Sequence, residues 1–200
     1  KKISRSFPNL QNARQDSIIS LIVTVQDTAE FAKKYSSRIR ATYPDYKCFA
    51  LELPTAGLRT FLQDPKVVYA QPSHRPPNTE ASVPGFDHSL VSVGLAWQRF
   101  PGATGQNIVV SIKENRFDTA DIDFRKRYSL TNLSATNTDI HATYMASMIA
   151  GAGNSSRYGK GVAWKSGITS TSFSSLMPEP LTYYQENKIS IQNHSYGVGV

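Results

Sequence analysis

Apolar and polar positions change rhythm twice along the chain. Residues 17–25, SIISLIVTV, are β-branched and apolar, which predicts a strand. Asp27 follows, with Glu30 three residues on, a pattern that opens a helix. Phe31, Ala32 and Tyr35 give that helix an apolar face. Residues 40–52 read as two short strands around a turn near Pro44-Asp45, residues 56–62 as a second helix and residues 67–70 as a last strand. The order β-α-β-β-α-β over residues 17–72 predicts a small ferredoxin-like α+β domain.

Residues 73–88 are rich in proline and polar side chains and read as an exposed linker. His74 and His88 lie in it and carry no assigned role. From residue 89 the pattern changes. Residues 90–97 predict a short helix ended by Pro101-Gly102. Residues 108–112, IVVSI, are nearly all apolar, which suits a parallel strand buried on both faces. Residues 140–150 predict a helix, residues 167–172 and 189–194 further strands, and residues 179–187 a helix between them. Alternating strands and helices predict an α/β fold with a mostly parallel sheet over residues 89–200.

Composition narrows the partners. Of the 200 residues, 40% are hydrophobic and 18% charged, a globular balance. The net charge of +7 permits acidic partners. The basic residues are scattered, however, apart from Arg125-Lys126-Arg127, and there is no zinc spacing or aromatic-interleaved basic strand. No specific nucleic-acid partner is expected. No apolar run reaches about 18 residues, so no transmembrane segment is expected. The sole cysteine, Cys48, excludes an internal disulfide and sits in an apolar run as a small core residue.

Three stretches in order carry candidate chemistry: GQNIVVSIKENRFDTADIDF (residues 105–124), HATYMASMIAG (residues 141–151) and IQNHSYG (residues 191–197). A serine hydroxyl attacks only with a base in reach, usually histidine, and that histidine needs a carboxylate to hold its tautomer. The stretches resemble the subtilisin-like serine peptidases, the subtilase family. An ungapped count from Gly105 puts Glu114 at the family's catalytic aspartate, with Asn115-Arg116 in place of Thr-Gly. His141 falls at the catalytic histidine. Glutamate still accepts from imidazole. Lys113 beside it points to the opposite face of a strand, so the register decides which of the two meets His141.

The resemblance implies more. Ser195, Tyr196 and Gly197 match the strand that pairs with a peptide substrate's backbone. Asp123 and Asn154 match positions that bind calcium in many subtilases. Calcium takes 6 to 8 oxygens, so a structural calcium is an option and no cofactor is required. Residues 17–72 resemble the inhibitory propeptide of these enzymes. The serine motif of the family is expected beyond Val200, so the chain reads as the N-terminal part of a subtilisin-like peptidase. The remaining C-terminal half of that domain is then a partner, as is a peptide or protein substrate. The resemblance also implies export to the cell surface, periplasm or exterior. The alternative is a pseudoprotease that binds peptides within a cell-surface complex.

Overall fold

The computed structural model describes residues 2–3, 17–73, 78–79, 91–174 and 177–197. They form two compact units, Lys1–Arg75 and Pro76–Val200. The boundary falls inside the segment read as a linker.

The first unit runs β1 (Lys2–Ile3), β2 (Ile18–Val25), α1 (Thr28–Tyr35), β3 (Ile39–Tyr43), β4 (Cys48–Pro54), α2 (Leu58–Gln63) and β5 (Val67–Pro72). Its sheet order is β1-β5-β2-β4-β3, so the four main strands take the predicted split βαβ arrangement. β1 is an addition, parallel to β5, that a two-residue strand does not announce by any periodicity. Burial alternates along β2, with Leu21, Val23 and Val25 inward. They meet Phe31, Phe49, Leu51, Leu58 and Phe61 in one core. Asp27 caps α1 by accepting from the Glu30 amide at 3.0 Å, as its spacing predicts. Cys48 is buried and free.

The second unit runs β6 (Asn78–Thr79), α3 (Val93–Arg99), β7 (Val109–Lys113), β8 (Tyr128–Ser129), α4 (Ile140–Ala150), β9 (Gly167–Thr171), α5 (Leu181–Glu186), β10 (Ile191–His194) and β11 (Tyr196–Gly197). The main sheet has the order β10-β7-β9-β8, all parallel, as the alternation of elements predicts. β6 and β11 pair antiparallel. Helix α3 starts later than its apolar pattern predicts. Helix α5 is shorter, because Pro180 opens it and Glu179 is drawn into a buried ion pair.

Helix α4 occupies its predicted range. Ala142, Ala146 and Ala150 are fully buried against Val110, Ile112 and Ile168. Small side chains let the helix lie close to the sheet. Its last carbonyls find partners in the returning chain. Gly161, Val162 and Ala163 amides donate to Gly151, Met148 and Ile149 carbonyls at 2.7–3.0 Å. The Arg127 guanidinium donates to the Ala150 and Ser166 carbonyls at 2.7 Å and also to the Asp123 carbonyl.

Candidate active site

Glu114 stands one residue past β7, its amide bonded to the Thr171 carbonyl at 2.9 Å. The strand alternation that sends Ile112 into the α4 core sends Glu114 the same way. His141 sits in the first turn of α4. Glu114 is fully buried and His141 is 4% exposed. Glu114 Oε2 lies 3.1 Å from His141 Nδ1. With Nδ1–H donating to the carboxylate, Nε2 keeps its lone pair as the available base. Burial pushes the Glu114 carboxyl above the ordinary carboxylate range, and the His141 partner pulls the other way. Its second oxygen, Oε1, is buried with no hydrogen-bond partner among the described residues, which adds to the cost of the charged form.

Lys113 takes the opposite face. Its ammonium donates to Glu179 Oε1 at 2.6 Å and to the Met177 carbonyl at 2.7 Å. The register therefore presents the glutamate to His141, and the lysine is buried at 1% exposure in an ion pair.

Asp139 was not singled out by its sequence context, and the site depends on it. It caps α4, accepting the His141 amide at 2.7 Å on Oδ1. Its Oδ2 accepts from Asn115 Nδ2 at 3.3 Å. The Arg116 amide donates to the Asn137 carbonyl, and the Asp139 amide to the Arg116 carbonyl. Strand exit and helix start are thus laced together. An aspartate immediately before a small-residue helix is a readable capping signal.

Ser195, Tyr196 and Gly197 follow β10 directly. Tyr196 pairs with Thr79 and Gly197 with Asn78. A piece of the segment read as an exposed linker therefore lies as an antiparallel strand on this edge. His74 and His88 lie outside the described residues.

Asp123 and Asn154 come together, but as a closed knot. The Asp123 carboxylate accepts from the amides of Asn154 and Ser155 and from the Ser155 hydroxyl. Asn154 Nδ2 donates to the Ile122 carbonyl at 3.1 Å. Calcium needs a shell of 6 to 8 oxygens, whereas this carboxylate is already enclosed by N–H and O–H donors. The pair does not form a cradle for the ion. Among the described residues no group of three or more His, Cys, Asp or Glu is placed to hold a metal.

Comparison with known proteins bears on the fold and the family. No curated protein matches the sequence. Fervidolysin from Fervidobacterium pennivorans, described as a keratinolytic enzyme related to subtilisin, is similar in fold. It is 16% identical, with a TM-score of 0.59 over 91% of this chain and 36% of that one. Two structures of EpiP, the epidermin leader peptide processing serine protease from Staphylococcus aureus, are 12% identical with a TM-score of 0.57. They match 86% and 92% of this chain and 47% and 51% of theirs. The chain thus spans between a third and about half of these structures. The subtilase (Peptidase S8) family model matches residues 93–199, the stretch that holds the Glu114–His141 pair. On that match, over more than half its length, the chain belongs to the subtilase family.

Proposed function

We propose that this chain carries the base and orienting carboxylate of a subtilisin-like serine endopeptidase that cleaves peptide bonds by acyl transfer. The observation that carries the reading is the buried 3.1 Å contact between Glu114 and His141 Nδ1. Nε2 then takes the proton of a serine hydroxyl as that oxygen attacks the peptide carbonyl, and returns it to the leaving amine. Glu114 steadies the imidazolium between the two steps. The serine belongs to further chain of the same domain. Exposed Ile140, next to His141, and exposed Ile191, at the start of edge strand β10, support such a covering partner. The pairing of Asn78–Thr79 with Tyr196–Gly197 supports two further assignments. Residues 195–197 form the peptide-binding edge. The upstream domain, residues 17–72, is an inhibitory propeptide whose exit segment occupies that edge. Zymogens of this kind are exported. Calcium, if the whole protein uses it, is held elsewhere than on the knot of Asp123 and Asn154.

The test uses protein carrying the whole peptidase domain. A fluorophosphonate probe is expected to label one serine. His141→Ala is expected to abolish the label and lower kcat by about 10⁵ to 10⁶, with the fold intact by circular dichroism. Unchanged turnover in that variant overturns the assignment. The second reading is a peptide-binding pseudoprotease of a cell-surface complex. It is favoured by Asn115-Arg116, whose Arg116 Nε is buried without a partner among the described residues. Absence of label both before and after removal of residues 1–88 selects it. Label only after removal identifies a blocked zymogen.

A further inference from the structure

The face of the main sheet turned away from α4 is polar. By register and alternation it carries Ser111 and Lys113 of β7, Thr169 and Thr171 of β9, and Gln192 and His194 of β10. An apolar layer is the usual partner for a helix, yet here Tyr183 and Tyr184 of α5 enter through their hydroxyls. Tyr183 bonds Ser111 at 2.9 Å. Glu179, buried, collects Lys113 Nζ at 2.6 Å, Gln192 Nε2 at 2.8 Å and the Tyr184 hydroxyl at 2.9 Å. The chain of bonds continues outward. Gln192 Oε1 lies 3.1 Å from His194 Nε2, and His194 Nδ1 lies 2.8 Å from the Tyr196 hydroxyl.

Proton positions along this chain follow from one group. A carboxylate only accepts, so Gln192 must turn its amide nitrogen to Glu179 and its oxygen to His194. That oxygen can only accept, so His194 Nε2 carries the hydrogen. Nδ1 of the neutral ring is then bare, and the Tyr196 hydroxyl donates to it. Tyr196 in turn is the residue of β11 that pairs with Thr79, while Gly197 pairs with Asn78.

We propose that His194 is a positioning residue for the segment-binding strand β11. As the neutral Nε2–H tautomer it holds Tyr196 for pairing with Asn78–Thr79, and its protonation releases that segment. Protonation puts a hydrogen on Nδ1 where the Tyr196 hydroxyl donates. It also adds a second cation to a network with one carboxylate, and Lys113 already holds that carboxylate. The charged and titratable groups facing the ring are Lys113 from β7, Glu179 and Tyr184 from the α5 side, and Tyr196 itself; Thr171 of β9 is neutral. Glu114 lies on the other face. The ring is reached by solvent, so an imidazolium has water to turn into. Partial burial and the Lys113 charge hold the His194 pKa below its ordinary value, with Glu179 opposing them. The neutral form therefore prevails at neutral pH, and pairing is lost as pH falls through the mildly acid range.

The proposal is independent of whether Glu114 and His141 catalyse, because its readout is backbone protection and not hydrolysis. Hydrogen exchange of the intact chain is followed by mass spectrometry from pH 8 to pH 5, corrected for intrinsic rates. Peptides from β2 and β9 serve as internal standards for global unfolding. Protection of residues 78–79 and 196–197 is expected to fall, by up to about tenfold per pH unit, as pH drops from the ordinary histidine value toward the lowered one of the paired ring, and then to level off, while the standards hold. His194→Gln keeps a donor toward Gln192 and an acceptor toward Tyr196 but does not titrate, so its protection is expected to stay flat. Protection of the wild type that does not change with pH overturns the proposal, as does acid loss that persists in His194→Gln. A nitrogen-15 NMR measurement of the wild-type ring stands apart from any variant. Nε2–H at neutral pH supports the proposal, and the Nδ1–H tautomer overturns it.

Discussion

Single residues in this chain are controlled by what their neighbours leave them to do. Glu114 and Lys113 are adjacent, equally charged in magnitude and both buried, yet one meets His141 and the other Glu179. Period-two alternation separates them, and each finds the partner its face provides. Asp64 in the first unit shows the same economy. Burial alone would raise its pKa. Bonds from Lys34 and Tyr35, both at 2.7 Å, and from the Lys66 amide instead hold it at about 2 against 3.8. Because the folded pKa is depressed, the stabilisation is present above pH 4 and is lost as pH falls toward 2. Asp64→Asn is expected to destabilise the first unit by about 2 kcal/mol at pH 7 and by almost nothing at pH 2, read from urea midpoints. An equal loss at both pH values would assign the effect to shape and not to charge.

Among the elements, α4 governs the candidate site, because it carries His141 at one end and is clasped at the other. The positions it buries fully against the sheet, Ala142, Ala146 and Ala150, are all small. A Cβ on Gly161 would stand 2.6 Å from the Ile149 carbonyl carbon and the Ser147 oxygen, both backbone and unable to yield. Gly161→Ala is therefore expected to cost about 3 kcal/mol through strain against the helix. Gly102→Ala, with nothing within 4 Å, is the matched control and is expected to be near neutral. Denaturant unfolding of the two variants checks the difference. Much of this element was legible in the sequence. The alanines of HATYMASMIAG announce a tightly packed helix. What the sequence left open is that Arg127 and residues 161–163 would cap its carbonyls, since those partners carry no pattern that points to a helix end.

At the scale of the molecule, two units divide the chain near residue 75. The first has a continuous core of Ile, Leu, Val and Phe under two helices. A fragment of residues 1–75 is expected to unfold in one cooperative thermal transition, with dispersed amide resonances. A chain of this size gains only marginal stability from a single core, so a modest melting temperature is expected. A non-cooperative melt would make its folding dependent on the rest of the chain. Among the described residues the second unit has a smaller apolar core and one polar sheet face; Ile140, next to His141, and Ile191, at the start of β10, remain exposed. The chain spans between a third and about half of the similar structures.

The sequence by itself determined which segments are strands and which are helices, wherever five or more residues repeat a period. It also determined the order of a carboxylate and a histidine around a small-residue helix. Alternation along one strand is local, so the face that Glu114 takes follows once Ile112 is placed in the core. Tertiary structure alone decided the rest. The two-residue strands β6 and β11 have no period to read, and their pairing joins positions more than a hundred residues apart. The bonds of Lys113 to Glu179 and of Gln192 to Ser111 span 66 and 81 residues. A polar side chain shows its chemistry in the sequence but not its partner, because the partner is chosen by the fold that brings the two within hydrogen-bond reach.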